Sequence, residues 1–311
     1  MARYARCLLP ELCKQSFGSQ QFPARIQKIT RDIMQAHASG QQIPASTAWR
    51  KEGLSQDEGY QVAAAGCARS MREKDARPIG RKIGFTNTNI WPEYNIDTSN
   101  WGYIYMRTLP KIEPEIVFRM KSAPSSSMDD TELLDCIFSY APGLEIVQSV
   151  YPDWRFNSAE TTAQGALHRF LWIGNWLRPA SEASKDEIVA GLSHVKVDLT
   201  RNNELMDRGS SKNVLGSPLN ALRHLCEILE KQTLHPPVQP REIITTGTMT
   251  KALSISQGQR WRSCIGGSNF QRLTYGNRQF LSMQLDVEQK KLDNNIRKVA
   301  KGEYRKVATM K

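Results

Sequence analysis

The sequence predicts an α+β fold. Helical periodicity is concentrated before Pro78, short β-rich runs separated by Gly, Pro, Asn and Ser clusters follow it, and two helical segments interrupt those runs. In the first part, Ile26, Ile29, Ile33 and Met34 recur at helical spacing over residues 26–38, and Gly40 with Pro44 ends the pattern. A second helix is predicted over 55–74, where Ser55 and Glu58 form a capping box ahead of Tyr60, Val62, Ala63 and Cys67. Strands are predicted at 80–85, 112–119, 144–148, 194–199 and 242–246. Between them, Asp129 or Asp130 caps a short helix running through Leu133, Leu134, Ile137 and Phe138. Ser217-Pro218 is an N-cap with proline at the first helical position, and Leu219, Leu222, Leu225 and Leu229 line one face behind it. Residues 194–206 read as a hairpin turning at Arg201-Asn202-Asn203.

With 311 residues, 40% hydrophobic and 23% charged, the chain can build a sizeable core. No apolar run approaches the roughly 20 residues of a membrane-spanning helix, so no membrane role is expected. The six cysteines lie far apart with no C-x-x-C, which points to free thiols in a reducing compartment. The net charge of +11 is concentrated at the ends: residues 1–31 carry +5, residues 286–311 carry +4, and the body between is nearly neutral. A nucleic-acid footprint would be a basic stripe on the folded body, so no nucleic acid is expected as partner. The N-terminus has no apolar signal core, and a cytoplasmic location is expected. Its Arg-bearing, acid-poor start fits a mitochondrial matrix presequence about as well as a frayed terminus. The division expected is a basic extension at 1–22, a helical segment at 23–78, a catalytic domain at 79–285 and a basic tail at 286–311. In that tail Val287, Leu292, Ile296 and Val299 mark one helical face.

The chemistry is concentrated in Lys111-Ile112-Glu113-Pro114-Glu115-Ile116-Val117-Phe118. As a strand this run puts Glu113, Glu115 and Val117 on one face. A third acid, Glu145, sits inside Gly143-Leu144-Glu145-Ile146-Val147. Glutamates within apolar strands are costly unless paired or bound to a cation, and three carboxylates suit Mg²⁺ or Mn²⁺. The competing reading is a solvated face with Glu145 paired to an arginine, and the residues alone leave both open.

The runs RPIGRKIGFTN (77–87), WGYIY (101–105), KIEPEIVF (111–118), GLEIVQS (143–149), TAQGALH (162–168), VLGSPLNAL (214–222) and REIITTGTMT (241–250) are similar, in this order, to motifs of the fumarylacetoacetate hydrolase superfamily. The nearest branch is that of the 2-keto-4-pentenoate hydratases and 4-oxalocrotonate decarboxylases, and the likeness covers residues 26–275. The resemblance implies a mixed β-roll or sandwich catalytic domain preceded by N-terminal helices. It implies that Glu113, Glu115 and Glu145 hold Mg²⁺ or Mn²⁺, which chelates a 2-oxo acid and acts as a Lewis acid. It further implies that Lys82 serves as proton donor or acceptor, with Gly84 of the same motif beside the substrate; the place of Lys82 between Ile79 and Ile83-Gly84-Phe85 suits a buried lysine of lowered pKa, and a surface lysine on an edge strand is the other reading. Thr246 and Thr248 then contact the substrate carboxylate, and His168 is a partner of the site.

Two departures stand out. The family's A-D-N-A-L-H is Ala163-Gln164-Gly165-Ala166-Leu167-His168 here, and Gln164 can orient a water or carbonyl but cannot act as a base. Trp101, before Gly102, stands as an apolar wall where the best-known hydratases carry an acid. The activity expected is a metal-dependent lyase (hydratase, decarboxylase or tautomerase) on a 2-oxo or 2-hydroxydienoic acid. An acylpyruvate-type hydrolase is the alternative, weakened because no His–Glu pair lies between Arg77 and Asn100. A binder that kept the metal pocket and lost the chemistry is the third reading. A homodimer or larger assembly is expected, with the helix faces at 26–38 or 287–299 as contacts.

Overall fold

The computed structural model describes residues 7–73, 78–94, 96–104, 111–179, 184–256, 258–266 and 281–286. Four helices precede the first strand: α1 (Leu9–Phe17), α2 (Ala24–Ser39), α3 (Ala48–Glu52) and α4 (Gln56–Glu73). The sheet region then runs β1 (Gly80–Gly84), α5 (Trp91–Tyr94), β2 (Asn100–Tyr103), β3 (Lys111–Met120), α6 (Asp130–Asp135), β4 (Ile137–Val147), α7 (Ser158–Ala163) and β5 (His168–Ile173). It continues with α8 (Lys185–Ser193), β6 (Lys196–Arg201), β7 (Glu204–Ser210), α9 (Pro218–Glu230), β8 (Ile243–Thr245), β9 (Leu253–Ser254), β10 (Arg260–Gly266) and β11 (Leu281–Asp286).

Local chemistry explains most boundaries. α4 starts behind the expected box: Ser55 Oγ accepts from the Glu58 amide at 3.2 Å and the Glu58 carboxylate accepts from the Ser55 amide at 3.0 Å. α9 starts at Ser217, whose Oγ accepts from the Leu219 amide, and buries Leu219, Leu222, Leu225 and Leu229. α6 opens on a reciprocal Asp129–Glu132 box but stops at Asp135. Ile137 and Phe138, expected in that helix, begin β4 instead. Pairing with β3 (Met120 opposite Ile137) outweighs local helical preference there. His194, expected in a strand, closes α8, and the hairpin begins at Lys196 and turns at Asn202 and Asn203 with φ of 50° and 70°.

The basic N-terminal stretch also differs from the expected solvated extension. Leu9, Cys13 and Phe17 are fully buried at i, i+4 and i+8, so one stripe of α1 belongs to the core. Net charge did not reveal that stripe. The Ile26, Ile29 and Ile33 face of α2 is likewise consumed by the chain's own core and is not open to a partner. The other proposed contact, 287–299, lies outside the described residues. Among the described residues no helix is long and apolar enough to cross a membrane.

The larger sheet has strand order β2-β1-β8-β3-β4-β5, with β9 beside β3. β8 lies parallel to β1 and antiparallel to β3. The second, antiparallel sheet has the order β11-β10-β6-β7. Alternation divides the faces of β3 and β4. Ile112, Leu144 and Ile146 meet Leu199, Trp261 and Leu285 of the second sheet, each such burial stabilising by about 1.5–3 kcal/mol. Glu113, Glu115 and Glu145 take the opposite face.

Candidate metal centre and active site

Strand register assembles the acids. Glu113 stands directly across the β3–β4 ladder from Glu145, and Glu115 stands across from Gly143. Ligand oxygens of the three carboxylates lie within 4.8 Å of one another. Glu115 and Glu145 are wholly buried. Like charges directly opposed in a sheet are destabilising, so this cluster needs positive charge.

Part of that charge is Lys82. Pairing of β1 with β8 and of β8 with β3 puts Lys82, Thr245 and Val117 in one row on the same face as the acids. Lys82 Nζ lies 2.9 Å from Glu145 Oε2 and 3.9 Å from Glu113 Oε2. On the other side His168 Nδ1 meets Glu145 Oε1 at 2.6 Å. The Gly247 amide donates to Glu115 Oε2 at 3.0 Å. Gly247 has φ of 96°, and a Cβ there would lie 2.1 Å from Thr86 Oγ1, so this amide is presented as only glycine allows.

The electrostatics follow from burial and charge. Burial pushes the Glu145 carboxyl up, but the Lys82 ammonium and the His168 hydrogen bond outweigh it and hold the group at about 2. Burial raises Glu113 to about 7 against the pull of Lys82, with Glu145 adding to the rise. Glu115 is raised well above the carboxylate range by burial and by Glu145. Burial pulls Lys82 down, yet the charges of Glu145, Glu113 and Glu115 prevail and its pKa is raised. That corrects the expected lowered lysine: three acids outweigh desolvation.

A divalent cation fits this cluster. Glu115 Oε1 is buried with no hydrogen-bond partner among the described residues, as are Asn100 Oδ1 and Thr245 Oγ1 on the same face. The donor set is all oxygen, as Mg²⁺ and Mn²⁺ prefer, and added positive charge would relieve the raised carboxyls.

The other expected site residues divide. Gly84 lies beside the lysine: a Cβ there would stand 3.1 Å from Asn100 Oδ1 and 3.6 Å from Lys82 Nζ. His168 reaches Glu145 as the first residue of β5. Trp101 does not join them. It pairs with Ile83, so it faces away from Lys82 and stacks on Tyr60 at 5.6 Å, beside His235 and under Arg81. The polar group on the Lys82 face is its neighbour Asn100, whose Nδ2 donates to Thr161 Oγ1 at 2.5 Å.

Gln164 is also engaged elsewhere. Its Oε1 accepts from the Val150 amide at 3.1 Å and its Nε2 donates to the Gln148 carbonyl, so it braces the chain after β4. Thr246 Oγ1 donates to the Ile116 carbonyl and Thr248 Oγ1 to the Thr250 carbonyl. The T-G-T motif therefore reaches the acids through the Gly247 amide. Sequence reasoning missed Asn100, Thr245 and that amide. The alternation Asn100, Gly102 against Lys82, Gly84 was the signal for the first. A cavity of about 140 Å³ between α2, α4 and the turn after α7 touches His168 and Gln164 but none of the glutamates.

With this geometry in place, comparison with known proteins is decisive at the family level. The profile described as fumarylacetoacetate (FAA) hydrolase C-terminal matches residues 63–274. The chain belongs to the fumarylacetoacetate hydrolase family. This family member is 23% identical over 250 residues to a 4-oxalocrotonate decarboxylase from Pseudomonas sp, covering 75% of this chain and 91% of that one. It is 25% identical over 260 residues to a 2-keto-4-pentenoate hydratase from Paraburkholderia xenovorans, covering 79% and 93%. In fold it is similar to the 4-oxalocrotonate decarboxylase of Pseudomonas putida G7, solved with magnesium and adipate. That match has a TM-score of 0.70 at 19% identity, over 86% of this chain and 98% of the other. The mixed sheet with preceding helices is thus the family fold, as the sequence resemblance implied.

Proposed function

We propose that this chain is a divalent-metal-dependent lyase acting on a 2-oxo or 2-hydroxydienoic acid. The observation that carries the reading is the convergence of three buried carboxylates and a buried lysine on one sheet face. The enzymes to which the chain is similar, a decarboxylase and a hydratase of such acids by name, support it.

Glu113, Glu115 and Glu145 would hold Mg²⁺ or Mn²⁺. Bound there, the ion supplies a Lewis acid that stabilises negative charge developing on a substrate's 2-oxo oxygen. His168 and the Gly247 amide fix the directions of two of the three carboxylates. Lys82, within ion-pair reach of Glu145, moves the proton to or from the carbon skeleton. Asn100 accepts a hydrogen bond from water or substrate but takes no proton, which leaves Lys82 as the proton carrier. Hydration, decarboxylation and tautomerisation all draw on this arrangement.

The test is a panel of 2-oxo acids with Mg²⁺-loaded protein, following water addition, CO₂ release and isomerisation separately. Conversion that stops on chelation supports the reading. Tight Mg²⁺-dependent binding of every acid without turnover would leave a binder, and no binding at all would defeat both. The proposal extends to at least a homodimer, which a monomeric mass by light scattering at micromolar concentration would reject.

A further inference from the structure

Gly66 stands inside α4, where glycine is less stable than alanine. Close packing does not require it. Among the described residues a Cβ at this position would meet only Thr30 Cγ2, at 3.9 Å, an ordinary contact. What the missing side chain leaves is space, for Gly66 lines the cavity of about 140 Å³ between α2, α4 and the turn after α7. Its walls include Ile33 and Met34 of α2, Val62 and Ala63 of α4, and Ala163 at the end of α7. An apolar cavity of about 150 Å³ takes one benzene ring.

The lining also holds a cation. Arg169 donates from Nη1 to His37 Nδ1 and from Nη2 to the His37 carbonyl, both at 3.2 Å. An arginine only donates, so His37 Nδ1 accepts and its ring is neutral; neither acceptor carries a negative charge. Among the described residues that line the cavity, Arg169 alone has a fixed charge and none is an acid. Apolar walls beside a guanidinium suit an anion with a small apolar body.

The cavity shares a wall with the metal centre. Gln164 and Gly165 line it, and Gly165, Ala166 and Leu167 have φ of 79°, 53° and 64°. Three left-handed residues in succession, two of them buried and not glycine, make a strained turn. That turn delivers His168, which also lines the cavity and whose Nδ1 meets Glu145 Oε1 at 2.6 Å. One side chain thus touches both the cavity and a candidate metal ligand.

We propose that this cavity is an effector site for a small aromatic monocarboxylate. The carboxylate pairs with Arg169 and the ring lies against the walls of α2 and α4. Occupancy braces the turn that carries His168 and so tightens metal binding at the glutamates. The binding site goes beyond the lyase reading, while its coupling rests on the metal assignment within that reading.

The probe is benzoate, titrated calorimetrically into the full chain without Mg²⁺, with benzamide as its neutral counterpart. Benzoate is expected to bind at least about 10-fold tighter than benzamide. Gly66→Leu and Ala63→Leu, which fill the cavity from α4, are expected to remove benzoate binding. Saturating benzoate is expected to tighten Mg²⁺ binding about 5-fold in the unmodified chain and in neither filled variant. Absence of benzoate binding leaves the cavity to water and overturns the proposal. So does equal affinity for benzoate and benzamide, a result that needs no variant, or undiminished benzoate binding by a filled variant that melts cooperatively. Equal tightening of Mg²⁺ in the filled variants would put benzoate on the ion itself, and Mg²⁺ affinity indifferent to benzoate would remove the effector role; either result overturns the proposal. Failure of Mg²⁺ to bind with or without benzoate removes the metal assignment and the coupling with it, whereas failure confined to benzoate leaves that assignment standing.

Discussion

Replacing Lys82 by Met tests both the electrostatics and the chemistry of the site. The ammonium lies 2.9 Å from Glu145 and 3.9 Å from Glu113, and the side chains of Lys82 and Glu145 are 4% and 0% exposed. Removing one partner of so buried a pair leaves a carboxylate uncompensated, which costs about 3–5 kcal/mol. Against a typical total stability of about 5–15 kcal/mol, the metal-free variant should melt far below the unmodified chain. Mg²⁺ restores positive charge at the same oxygens, so the gap between the two melting temperatures should narrow when it is added. Turnover should fall about 10²–10⁴-fold even with saturating Mg²⁺, because the proton carrier is gone. Thermal melts with and without Mg²⁺, together with initial rates on a converted acid, give both readouts. Near-full turnover by Lys82→Met would make the lysine structural. An equal drop in melting temperature with and without Mg²⁺ would show that the ion does not sit among these carboxylates.

Glu115→Gln should weaken Mg²⁺ binding, read by calorimetry, and unchanged affinity would remove Glu115 from the ligand set. His168→Ala should cost about 10–100-fold in Mg²⁺ affinity, because the ring steers Glu145; a change confined to thermal stability would make it a packing residue. Gln164→Asp should lower stability by about 1–3 kcal/mol through its lost backbone bonds, with no change in product ratio. A shift toward hydration in that variant would instead give residue 164 a part in the chemistry. His235 is held down to about 3 by burial and by Arg81, while its Nδ1 meets the Tyr103 hydroxyl at 3.0 Å. Its neutral form belongs to the folded state, so its contribution is present above pH 6.5 and is lost as pH falls toward 3, by up to about 1.4 kcal/mol per unit. Urea unfolding from pH 7 to 4 should show that slope, and His235→Phe should flatten it; identical slopes would refute the assignment.

The acids were legible in the sequence because strand alternation is strict. Glu113 and Glu115, two apart, share a face of their strand whatever its partner, and Glu145 between apolar neighbours joins them in every second register, the one that keeps those apolar neighbours on the core face. The helix starts at Ser55 and Ser217 were legible for a similar reason: capping is local chemistry. Trp101 was misplaced because a motif aligns residues along the chain but does not say which of two neighbours turns toward the lysine. Pairing of Lys82 with Gly102 decides that, and it depends on how β1 and β2 meet. Gln164, Thr246 and Thr248 have side chains suited to a ligand, but nearby backbone groups hold them first. Those groups belong to segments such as 148–150 and Ile116, whose proximity only the folded chain provides.

The three-residue strand β8 has a further consequence, for the order in which the protein comes to life on the ribosome. Lys82 and Glu113 are 31 positions apart, yet their strands are not neighbours in the sheet; β8, from residues 243–245, lies between them. A nascent chain can pair β3 with β4 early, but it has no means of setting β1 beside them until nearly four-fifths of its length has been synthesised. Contacts spanning that much chain are slow to close, and until then the neighbouring strand edges stay open to wrong partners. A fragment ending before residue 241 should therefore carry the acidic pair in a sheet yet be inert and prone to aggregate, its lysine strand having nothing to dock against.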